Sequence, residues 1–137
     1  MFDFEKLEAY QIVRLQTQKV MEFLAGQTGL DSQLIEQWKK AALGALLNLA
    51  EGTGRMSNQD KKHFYTIARS SVFECVALLQ LIKDMGGVDE ERYTDLYNGY
   101  ERISKMLLAM YRSFNNPRTD YPHHSDTSSS YPDPKPI

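Results

Sequence analysis

Residues 90–114, EERYTDLYNGYERISKMLLAMYRSF, decide the fold. Tyr93, Leu96, Tyr100, Ile103, Leu107, Met110 and Phe114 recur at alternating intervals of three and four, so all seven share one face of an α-helix. A seam with this rhythm belongs to a helix that packs in a bundle. Asp89 stands ready as its N-cap, and Glu90 and Glu91 carry the sign that the first turn of a helix favours.

The same pattern repeats upstream. Ser57, with Asp60 three residues on, opens a helix whose seam is Phe64, Ala68, Ser71, Cys75, Leu78, Ile82 and Met85; Gly86-Gly87 stops it. Before it, Asp31 or Ser32 caps a helix over about 32–51, with Ile35, Trp38, Ala42, Ala45/Leu46 and Leu49 inward. The small run Ala41, Ala42, Gly44, Ala45 lets a neighbouring backbone approach, which would compensate the roughly 1 kcal/mol that Gly44 costs a helix interior. A first helix covers about 4–24, with Leu7, Tyr10, Val13, Thr17, Val20/Met21 and Leu24 on one face, and ends at Gly26-Gln27-Thr28-Gly29. Short breaks make consecutive helices antiparallel neighbours. The fold class is therefore all-α, an antiparallel up-down-up-down four-helix bundle. Its apolar stripes are wider than the seams require: Ile12, Leu15, Phe23, Leu43, Leu47, Tyr97, Leu108 and Tyr111 are left over. This surplus predicts a homo-oligomer.

Composition agrees with one helical domain. All five prolines of the 137 residues lie at or after position 117. The bundle is expected over 1–114, and 115–137 reads as a flexible Pro/Ser-rich tail with no Leu, Val, Phe or Met to offset its ordering entropy. A formal charge of −2 argues against a surface adapted throughout to phosphate, and a single cysteine excludes an intramolecular disulfide or a Cys-based zinc site. The start lacks a basic segment followed by an apolar one, and the run Ala41–Leu47 is far short of the ~20 residues that span a bilayer. A cytoplasmic protein without a membrane partner is expected.

The densest motif is Asn48-Leu49-Ala50-Glu51-Gly52-Thr53-Gly54-Arg55-Met56-Ser57. Gly52 fits the left-handed position that ends a helix, Gly54 permits a second turn, and Ser57 accepts from the next helix's free amides. Asn48, Glu51 and Arg55 are polar groups that a tight corner could bind together. Arg55 can fork onto Glu51 or Glu74, and Ser71 and Glu74 can satisfy each other or Arg55 as buried polar groups. The corner is either structural or an exposed arginine at a helix N-terminus offered to a phosphate or an acidic partner. It is not a P-loop, because no strand precedes it and the Lys-Ser/Thr ending is missing.

With Leu7-Glu8-Ala9-Tyr10-Gln11, the corner motif, and Ala68-Arg69-Ser70-Ser71-Val72-Phe73-Glu74, the chain resembles a family of small bacterial proteins. These were first noticed as reading frames within intervening sequences of 23S ribosomal RNA genes. The resemblance covers about residues 4–114. It implies a left-handed antiparallel bundle assembled as a homopentameric ring, and a mostly unassigned biochemical role. A distant branch serves as accessory subunit to reverse transcriptases of diversity-generating retroelements; those proteins are strongly basic, unlike this one.

Only residues 53–86 are net positive, with five basic and three acidic residues. Arg55, Lys61, Lys62 and Arg69, joined by Lys39 and Lys40, form the candidate surface for RNA, DNA or an acidic partner, repeated by an oligomer. The alternative is an ordinary solvated helix face. An enzyme is not expected. A bundle di-iron site needs two Glu-x-x-His motifs, whereas Asp60-x-x-His63 supplies the only histidine before the tail. Cys75 lies on an inner seam, where cysteine behaves as a small apolar residue. His123-His124 alone makes no closed metal site. No cofactor is implied. The expected role is a non-enzymatic self-assembling scaffold or adaptor that binds another protein, with an accessory nucleic-acid-binding subunit as the alternative.

Overall fold

A computed structural model of the chain describes residues 1–115. Four helices, α1 (Glu8–Ala25), α2 (Ser32–Thr53), α3 (Asn58–Asp84) and α4 (Glu90–Ser113), follow a 3₁₀ turn at Asp3–Lys6. Each helix packs on the next and α4 closes against α1, leaving α1–α3 and α2–α4 as diagonals. This is the up-down-up-down bundle, with no strand among the described residues. The tail, from residue 116 onward, lies outside the described residues.

The caps form as the residue types dictate. Asp31 Oδ1 accepts from Gln33 N at 2.7 Å, Ser57 Oγ from Asp60 N at 3.0 Å, and Asp89 Oδ1 from Arg92 N at 2.7 Å. Gly86, at φ +79°, ends α3 in the left-handed conformation that glycine adopts without strain. The first helix starts later than its periodicity predicts. Phe2 N–H donates to Glu5 Oε1 at 2.8 Å, and the Phe4 ring turns onto Tyr10 edge to face at 4.8 Å. Together they hold 3–6 as a separate turn, and Leu7 takes an extended conformation before α1.

Trp38, Leu49, Leu79, Ile82 and Leu96 are among the fully buried core residues. Trp38 Nε1–H crosses the α2–α4 diagonal to donate to the Tyr100 hydroxyl at 3.1 Å, and Tyr100 is in turn hydrogen-bonded to Cys75. α3 buries more than one seam. Tyr65, Val72 and Leu79 join Ala68, Cys75 and Ile82, whereas Leu78 is only half-buried and Met85 is exposed. The reason is position: α3 packs on both α2 and α4. By composition α3 is also apolar and long enough to cross a bilayer, but here it is the helix on which those two neighbours pack.

Two polar residues complete the interior. Gln16 Nε2 donates to Leu96 O at 2.9 Å across α1–α4, with its amide seated where a Cβ at Gly99 would stand. Thr17 Oγ1 donates back to Val13 O at 2.7 Å.

Burial also seals Cys75. It pushes the thiol up to about 12, while the Tyr100 hydrogen bond pulls the other way. The thiolate fraction at pH 8 is then on the order of 10³ lower than in an unfolded chain. Iodoacetamide should accordingly label native Cys75 at least that much more slowly than urea-unfolded protein. Folded chains keep this proton after unfolded ones have shed it. The associated stability is therefore whole below the ordinary thiol range and falls as pH rises toward 12.

Candidate functional site

The α2–α3 junction brings most of the corner motif together. Thr53 Oγ1 donates to Leu49 O at 3.0 Å and lies 3.3 Å from the Tyr65 hydroxyl. Lys61 Nζ donates to Thr53 O at 2.8 Å, placing a cation on the negative end of α2. Arg55 Nη2 meets Glu51 Oε2 at 2.8 Å, and its guanidinium lies 4.6 Å from the centre of the Phe64 ring. Burial raises the pKa of Tyr65, with the Thr53 hydrogen bond opposing.

Three expectations at the corner need correcting. Gly52 is not a left-handed terminator; it lies inside α2, which runs on to Thr53. It is glycine because a Cβ there would come within 2.9 Å of both Phe64 Cβ and Tyr65 Cε1. Gly54 caps the helix at φ −81° and takes the turn expected of it. Asn48 does not join Glu51 and Arg55, since its Nδ2 donates to Gly44 O at 2.8 Å within its own helix. Glu74 is exposed, and it is Glu51 that receives Arg55. Ser71 is buried, with its Oγ 2.9 Å from where a Cβ on Gly44 would stand, so the small stripe of α2 does admit α3 closely.

Gly52→Ala tests the corner. Overpacking of about 1–3 kcal/mol opposes the ~1 kcal/mol that alanine contributes to a helix, leaving a net loss of up to about 2 kcal/mol in urea unfolding. Gly54→Ala, whose Cβ meets nothing closer than 3.6 Å, should change stability little.

The basic residues do not form one free surface. Arg69 is 5% exposed; its Nε donates to Ser104 O at 3.2 Å and Ser104 Oγ at 3.1 Å, and its guanidinium lies 4.9 Å from the Phe73 ring centre. Lys61 is committed to α2. Lys62 lies 5.2 Å from the Tyr111 ring centre, and Lys39 sits 3.9 Å from Glu36. Lys40 is exposed, but Lys39 and Lys40 stand about 20 Å along α2 from Arg55. His63 is exposed at the start of α3 beside Phe64, and among the described residues no three His, Cys, Asp or Glu side chains group for a metal.

Residues 5–109 match the family described as 23S rRNA-intervening sequence protein. The chain belongs to this family. The match spans all of α1, α2 and α3 and most of α4, so the 23S rRNA-intervening sequence family is defined over the bundle. A solved structure with the same fold is a protein with unknown function from the S23 ribosomal protein family of Bacteroides thetaiotaomicron VPI-5482. It has a TM-score of 0.70 and 17% identity over 75% of this chain and 97% of that one. No curated protein matches the chain. Within this family member, hydrogen bonds from Tyr65 and Lys61 of α3 reach Thr53 at the end of α2.

The sequence does not single out the α3–α4 groove. Phe73, Val76, Tyr97 and Leu108 line it with Arg69 and Lys105, enclosing about 470 Å³. Tyr97 and Leu108 lay in the surplus apolar set, and that surplus was its available signal.

Proposed function

We propose that this chain is a non-enzymatic, self-assembling scaffold or adaptor of the cytoplasm, working as a homo-oligomer, with five copies as the family resemblance implies. The observation that carries the reading is the outer strip of α2. Glu36, Lys40, Leu43, Leu47 and Glu51 all face solvent, and the two leucines are 43% and 60% exposed one helical turn apart. Adjacent exposed leucines bracketed by charges are what an interface presents, whereas single exposed apolar residues are ordinary. Leu15, 57% exposed on α1, adds a second apolar point.

The surplus narrows in a way that sharpens this. Phe23 and Leu108 are buried within the chain, while Ile12, Tyr97 and Tyr111 are half-buried. What remains is Leu15, Leu43 and Leu47. The non-enzymatic reading is supported by a sealed Cys75 and, among the described residues, a single exposed histidine, His63. Arg69 and Lys61 are tied into the bundle, which favours a protein partner over nucleic acid.

Sedimentation of the purified chain tests the proposal: an assembled species should persist at micromolar concentration, and a monomer there overturns it. Purification of the tagged chain with and without nuclease tests the partner. Nuclease-resistant protein partners fit the scaffold, and nuclease-sensitive ones would move the function to RNA or DNA.

A further inference from the structure

The α3–α4 groove has an apolar floor and a cationic end. Phe73, Val76, Tyr97 and Leu108 supply the first, Arg69 and Lys105 the second. Neutral groups hold the Arg69 guanidinium, namely Ser104 and the face of Phe73. Burial depresses its pKa and the nearby charge of Arg112 depresses it further, while the groove's one lining carboxylate, Glu101, stands a turn before Lys105 on α4. The groove thus suits an aromatic or proline-bearing segment with a carboxylate at one end.

Such a segment begins where α4 ends. Asn115 is the last described residue, and the sequence continues Asn116-Pro117-Arg118-Thr119-Asp120-Tyr121-Pro122. Asn115 Nδ2 is buried with no acceptor among the described residues. A buried unsatisfied donor costs about 1–3 kcal/mol, so a carbonyl of the residues that follow is the natural acceptor.

Length fixes the register. Run back along α4 at ~3.1 Å per residue, Asp120 reaches about 16 Å from Asn115, the level of Lys105 on a helix rising 1.5 Å per residue. Tyr121 and Pro122 then fall near residues 100–102, against Phe73 and Tyr97. Arg118, at about 9 Å, stops short of the groove. The second Tyr-Pro pair, Tyr131-Pro132, overshoots it.

We propose that Asp120-Tyr121-Pro122 docks into the α3–α4 groove of its own chain, with the Asp120 carboxylate between Arg69 and Lys105 and the Tyr121 ring on Phe73. The tail then covers this groove, and an acidic, aromatic peptide of a partner would compete for it.

Photo-crosslinking of the purified full-length chain with Tyr121 replaced by p-benzoylphenylalanine tests this. The expected products are intrachain links to peptides within 72–80 and 97–108, with Asp120→Asn lowering their yield severalfold. Links scattered over α1 and α2 overturn the docking. Links found only in covalent dimers overturn docking within the chain and place the tail on a second copy. An unchanged yield in Asp120→Asn overturns the carboxylate's role.

Discussion

Trp38→Ala should lose about 3–5 kcal/mol of stability, the range for deleting a buried tryptophan ring from a packed core. Trp38 is fully buried, packs on Phe23 with ring centroids 5.9 Å apart, and supplies the hydrogen bond that joins α2 to α4 across the diagonal. Removing it leaves a cavity and deprives Tyr100 of a donor in a site whose burial already lifts the Tyr100 pKa well above its usual value. Small domains have only about 5–15 kcal/mol in total, so a large part of the margin disappears. Urea unfolding followed by circular dichroism measures it. Tyr100→Phe keeps the ring and removes only the hydroxyl, and should lose about 1–2 kcal/mol. A Trp38→Ala shift below 1 kcal/mol would mean that the diagonal contact is not central to the core.

Leu43→Glu with Leu47→Glu should dissociate the assembly and leave the fold intact. Both side chains face solvent in the single chain, where surface substitutions usually change stability by about 0.5 kcal/mol or less. At an interface, each leucine is worth about 1.5–3 kcal/mol of burial. Losing both weakens association roughly a hundredfold or more, before the desolvation of two carboxylates is added. Light scattering should show a shift toward monomer, and circular dichroism an unchanged helical spectrum. An unchanged mass would remove the α2 strip from the interface.

The bundle was legible because periodicity and punctuation agree along the chain. The α4 seam, the caps at Asp31, Ser57 and Asp89, and the stop at Gly86-Gly87 each follow from local chemistry. What escaped depends on a partner helix. Glycine serves both left-handed turns and close approaches, so residue type alone could not say that Gly52 makes room for Phe64 and Tyr65. The second buried column of α3, Tyr65, Val72 and Leu79, exists because that helix touches two neighbours. Phe23 and Leu108 looked superfluous on the surface for the same reason, since the flanks they fill are set by helix rotation. Arg69 belonged to the basic count of its segment, yet Ser104 and Phe73 draw it inward. Glu74 was a plausible partner for Arg55 by sequence, but it points to solvent, and Glu51, one turn before Arg55, receives the arginine.

The mass of the full-length chain in solution, measured by light scattering at micromolar concentration, tests the self-assembling reading most directly. It should be five times that of the 15.8 kDa chain. A mass of 15.8 kDa at that concentration would contradict it.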